Sequence, residues 1–136
     1  MSKVEKEIWD TVHRHLQGAF MQDVDAYLAT TAEDLSLYEW FITPHRQDGL
    51  PFHLYMINNN WSGSSEGTRY DLWEPRLQLY GDTAIVSYTF MLTTRQDGVI
   101  RHGSHNESRV LIRREDGWKI VHVHKSPGWR APYDPA

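Results

Sequence analysis

The chain has 136 residues, no cysteine and a formal net charge of −4, with 14 Lys and Arg against 18 Asp and Glu. That length encloses one hydrophobic core and a pocket but not two cores, and the acidic balance without any basic run excludes a nucleic-acid binder. The missing thiols exclude disulfides, thiolate metal sites and cysteine nucleophiles. No apolar run is long enough to cross a bilayer and the opening "MSKVEKEIWD" is charged, so a soluble, unprocessed, cytoplasmic protein without a membrane partner is expected.

In chain order, Val4, Ile8, Trp9, Val12, Leu16, Ala19 and Phe20 recur at three- and four-residue steps, which predicts an amphipathic helix over Val4 to Phe20. Asp23 can cap a second, shorter helix ending near Thr30, so the two make a helical hairpin. "DLSLYEWFI" then alternates with bulk on both faces and predicts a strand buried on both sides. "TPHRQDGLP" reads as a turn-rich connection, followed by helical spacing from Pro51 to Asn60 through Phe52, Tyr55, Met56 and Asn59. The loop "NNNWSGSSEG" carries one large ring, Trp61.

The remainder predicts long strands separated by the turns Gly81-Asp82, "RQDG", "EDG" and Pro127-Gly128, an antiparallel meander. Helices first and a sheet afterwards define an α+β domain with helices covering one face of a curved sheet. One domain over residues 1–136 is expected, its core over about 4–128, with "RAPYDPA" as a flexible tail.

Candidate chemistry gathers on the last strands. His122 and His124 stand two apart and share a face, which permits a metal, but a third ligand is lacking because the odd spacing of His102 and His105 sends them to opposite faces. The competing reading makes Trp118, Ile120, His122 and His124 one outer face of the terminal strand, packed against another subunit, with Lys119, Val121, Val123 and Lys125 on the other. On the preceding strand His105, Glu107, Arg109 and Leu111 share a face, either a surface Glu–Arg pair or an arginine held at the bottom of a cavity. No nucleophile elbow, P-loop or H-E-x-x-H motif is present, and no cofactor or metal is expected.

"LSLYE", "PFHLYMINNNW", "ESRV" and "DGWKIVHVHKSPG" resemble the association (hub) domain of calcium/calmodulin-dependent protein kinase II, whose end carries D-G-K-W-x-x-V-H-F-H-R-S-G. The resemblance spans about residues 4 to 128 and implies the cone-shaped nuclear-transport-factor-2-like (SnoaL-like) fold, here as a free-standing domain. It implies a conical pocket lined by Tyr27, Glu39, His53, Trp61, Glu107, Arg109 and Lys125, in which hub arginines receive small carboxylates. Two hub arginines are replaced, one by Thr89 and the last by Lys125, which removes fork geometry and points to a different ligand.

Two functions follow as expectations. One is a self-associating domain, a homodimer or higher oligomer, that binds a small polar or carboxylate-bearing ligand through Arg109 and Lys125. The other is a cyclase, isomerase or dehydratase in which His53 or Glu39 removes a proton next to a carbonyl, with Arg109 or Tyr27 stabilising the enolate oxygen.

Overall fold

The computed structural model describes residues 1–59 and 68–129. Trp61 and the "RAPYDPA" tail, both named above, lie outside the described residues. Helix α1 (Lys3–Phe20) starts where Ser2 accepts a hydrogen bond from the Glu5 amide, and α2 (Val24–Thr30) starts where Asp23 accepts one from Ala26. Strands β1 (Thr31–Glu39) and β2 (Thr43–Asp48), helix α3 (Pro51–Asn58), and strands β3 (Arg69–Tyr80), β4 (Thr83–Gln96), β5 (Val99–Arg114) and β6 (Gly117–Pro127) complete the described chain. Among the described residues no helix is long and apolar enough to cross a membrane.

The six strands form one sheet in the order β2-β1-β6-β5-β4-β3. All pairs are antiparallel except β1 with β6, so the meander β3 to β6 is closed on its far side by a strand from the start of the chain. Helix α1 lays Ile8, Val12, Leu16 and Phe20 into a core shared with Leu35, Val86, Phe90, Leu111 and Ile120. Each such side chain contributes roughly 1.5–3 kcal/mol on burial. Gly18 permits the close crossing of α1 and α2, because a Cβ there would stand 2.6 Å from the Tyr27 nitrogen.

Several expectations are corrected. "TPHRQDGLP" is not a plain turn: β2 pairs with β1 as an exposed edge strand, and Pro44 is tolerated at that edge. Strand β1 starts earlier and is not buried on both faces: Leu35, Leu37 and Glu39 point into the core, Ser36 and Tyr38 are half-buried outside, and Trp40 and Phe41 leave the strand in a turn. In α3 the buried residues are His53 and Ile57, while Tyr55 of the expected apolar face is exposed. The physical reason is that His53 finds polar partners inside, which an apolar stripe does not anticipate.

The terminal strand changes phase. Leu111 pairs with Ile120 but Val110 pairs with His122, so an extra residue bulges at Val121. Trp118 and Ile120, expected outside with His122 and His124, are therefore core residues, while Val123 and Lys125 continue the inner face beyond the bulge. His122 stays half-buried and His124 exposed on the outer face, which no helix among the described residues covers. A register irregularity between Thr31 and Ser36 of β1 answers the bulge on the neighbouring strand.

Candidate functional site

Strand alternation sends one register row of polar groups inward. Tyr88 of β4 pairs with Glu107 of β5, Glu107 with Lys125 of β6, and Lys125 with Glu39 of β1. Arg109, two residues along β5, joins them on the same face. The helices supply His15 from α1, Tyr27 from α2 and His53 from α3. All eight are buried, so the sheet and helices enclose a polar cluster inside an apolar shell.

Two ion pairs anchor it. Lys125 Nζ donates to Glu39 Oε1 at 2.7 Å, and the His53 Nε2 stands 3.5 Å from the same oxygen. Arg109 donates to Glu107 and to the Tyr88 hydroxyl, and Tyr88 in turn donates to Glu107 Oε1 at 2.8 Å. His53 Nδ1 is hydrogen-bonded to the Tyr27 hydroxyl, and His15 Nδ1 to Thr31 Oγ1 at 2.9 Å. With two carboxylates against two cations, the pairs are charge-balanced.

Electrostatics fixes the protonation states. Burial pushes the Glu107 carboxyl up, but the Arg109 guanidinium, then Lys125 and the hydrogen bond from His105, pull it well below the usual carboxylate range. Glu39 is likewise raised by burial and lowered further by Lys125, His53 and Arg109, for a net shift down. Burial lowers His53 to about 4 against the opposing pull of Glu39, with Lys125 and Arg109 adding repulsion. His15 falls well below its ordinary value, first through burial and then through Arg109. Burial raises the Tyr27 and Tyr88 hydroxyls. Folded, the cluster holds two carboxylates, two cations, two neutral histidines and two neutral tyrosines.

Of the expected pocket residues, Tyr27, Glu39, His53, Glu107, Arg109 and Lys125 come together here. Thr89 does not: it points out of the other face and donates to Asn106 Oδ1 at 2.7 Å, and its neighbour Tyr88 occupies the inward position. Alternation along β4, with Ala84, Val86, Tyr88 and Phe90 all buried, is the signal that separates the two. Glu39 and His53 are poorly suited as bases, since the first is held by Lys125 and the second resists protonation.

A cleft of about 470 Å³ opens beside this cluster at the mouth of the sheet, walled by Phe20, Trp40, Phe41, Ile42, Met56 and Trp129. Its floor includes His105, which donates to Glu107 Oε2 and so links the cleft to the ion pair behind it. Arg109 does not line this cleft but lies one side chain deeper, 2% exposed. Among the described residues no three His, Asp or Glu side chains gather as a metal site. On the outer face Tyr38 packs its ring 5.0 Å from His124 and 6.4 Å from His122, and His122 Nδ1 lies 2.7 Å from Ser36 Oγ.

The family model "Calcium/calmodulin dependent protein kinase II association domain" matches residues 4–128. The rabbit (Oryctolagus cuniculus) calcium/calmodulin-dependent protein kinase type II subunit delta is 25% identical over 133 residues, 96% of this chain. The chain spans about a quarter of that relative's length, 25%. Among solved structures, the S. rosetta CaMKII hub superposes with a TM-score of 0.79 at 25% identity, covering 94% of this chain and 98% of the hub. A nuclear transport factor 2-like superfamily protein from Salmonella enterica shares the fold, with a TM-score of 0.73 at 20% identity over 98% of this chain and 96% of its own.

Proposed function

The chain belongs to the calcium/calmodulin-dependent protein kinase II association-domain family, matched over residues 4–128, and from that premise we propose that it is a self-associating domain whose mouth cleft holds a small organic ligand. The carrying observation is the uncovered face of β1 and β6, where Tyr38, His122 and His124 cluster as amphipathic rings beside Ser36. Such rings supply apolar area with polar tips and suit a two-fold contact between copies. Relatives described as hub and association domains support the same reading.

The cleft supports the ligand half. Its aromatic walls offer burial to a small molecule, and its volume of about 470 Å³ lies in the range of small-molecule sites. The ion pairs behind it change the expected ligand chemistry. Arg109 is neutralised by Glu107 and Lys125 by Glu39, so a carboxylate gains no free cation unless one of these carboxylates yields its partner. A mostly apolar ligand with one polar group fits better.

Light scattering on the purified chain tests the association: a dimer or larger assembly is expected, and a monomer at micromolar concentration refutes it. A thermal-shift screen of small aromatic and carboxylate compounds tests the ligand. No stabilisation by any compound counts against the cleft.

A further inference from the structure

We propose that His105 is the recognition point of the mouth cleft, and that the cleft takes a planar aromatic molecule bearing a weakly acidic hydroxyl, a phenol, whose O–H donates to Nδ1 of His105. The proposal rests on reading this cleft as a ligand site. It adds the chemical class of the ligand and the atom that selects it.

The tautomer follows from the partners. Glu107 is an ionised carboxylate, held by Arg109 and the Tyr88 hydroxyl, and it can only accept from His105. Nε2 of His105 therefore carries the proton, and in the neutral ring Nδ1 is left with a lone pair. Among the described residues nothing hydrogen-bonds that nitrogen. The ring also has little freedom to turn away, because it stacks on Phe90 at 5.1 Å and on Phe41 at 5.9 Å, with interplanar angles of 18° and 26°. An acceptor fixed in this way is what a recognition atom requires.

The surroundings select the rest of the ligand. Trp40 meets Phe41 and Trp129 edge-on at 5.6 Å and 5.4 Å, which builds an aromatic wall suited to a flat ring. A carboxylate is disfavoured because an acceptor nitrogen backed by Glu107 offers it no donor. A plain hydrocarbon forgoes the one hydrogen bond that the floor can make. A phenol satisfies both ring and nitrogen, and its acidity strengthens the bond to imidazole.

The test uses fluorine NMR on the full chain with 4-fluorophenol, fluorobenzene and 4-fluorobenzoate as probes. Fluorophenol is expected to bind about tenfold more tightly than fluorobenzene, the worth of one neutral hydrogen bond, and more tightly than the benzoate. In His105→Phe, which keeps a stacking ring but no acceptor, the two neutral probes are expected to bind alike. If this variant does not fold, the three-way ranking on the unaltered chain decides alone. Equal binding of phenol and fluorobenzene, tighter binding of the benzoate, or a phenol preference that persists in a folded His105→Phe overturns the inference while leaving a ligand site standing. Binding of none of the three removes the ligand site itself.

Discussion

Lys125 Nζ and Glu39 Oε1 lie 2.7 Å apart, each residue no more than 2% exposed, and so join the last strand in the chain to the first, its neighbour in the sheet. Breaking this pair from one side leaves an uncompensated charge in the interior. Lys125→Met is expected to lower unfolding free energy by about 3–5 kcal/mol. The double variant Lys125→Met with Glu39→Leu is expected to recover most of that loss. Urea denaturation measures both, and a single variant as stable as the parent chain contradicts the burial of the pair.

The two neutral histidines give the domain an acid-sensitive stability. In the unfolded chain a histidine titrates near 6.5, whereas burial holds His53 down to about 4 and His15 well below its ordinary value. Between those limits the unfolded state binds protons that the native state refuses, so stability falls as pH drops from about 6.5 towards 4. The slope is at most about 1.4 kcal/mol per pH unit for each histidine. Glu39 and Glu107, with depressed values, add their own loss only at lower pH, as acid reaches the carboxylate range. Urea titrations at pH 7.5 and pH 5 should differ accordingly, and less so in His53→Gln. Equal stabilities at the two pH values refute the assignment.

Gly18→Ala should destabilise the chain even though alanine gains about 1 kcal/mol of helix propensity over glycine. The added Cβ meets Tyr27 backbone atoms at 2.6 and 2.9 Å, and backbone cannot rotate aside as a side chain can. Overpacking of this kind costs about 1–3 kcal/mol. A calorimetric Tm below that of the parent is expected, and a raised Tm shows that α1 and α2 do not cross so closely.

Tyr38→Glu combined with His124→Glu places two carboxylates on the uncovered face of β1 and β6. The expected outcome is dissociation to monomers in light scattering with an unchanged circular dichroism spectrum, because neither side chain reaches the core. Retention of the parent's assembly moves the contact elsewhere on the molecule.

The helical hairpin and the four-strand meander were legible in the sequence because periodicity and alternation survive wherever pairing is regular. Alternation put Glu107 with Arg109 on one face of β5 and Lys125 opposite His122 and His124 on β6, but left open whether those faces meet solvent or a cavity, and only the family resemblance aimed Arg109 and Lys125 inward. Trp118 and Ile120 were misplaced because the bulge at Val121 inserts one residue, and parity counted across it changes sign. Strand β2 was hidden by its polar, proline-bearing edge composition. Thr89 was named through family likeness where alternation along β4 points to Tyr88. His105 carried the right facing in the sequence, and its link to Glu107 runs along β5 itself, but its place in the cleft depends on α1, α3, β5 and the turn after β1 meeting in space.

The parallel pairing of β1 with β6 also orders events during synthesis. As a chain emerges from its N-terminus, β1 and β2 are complete while β6, the strand that covers the open side of β1, is still unmade. Until it arrives, Glu39 lacks its Lys125 partner and one edge of β1 stands unpaired. The final step of assembly is therefore the longest-range one, and a ribosome that stalls before Lys125 releases a nascent chain with an open sheet edge rather than a smaller version of the domain.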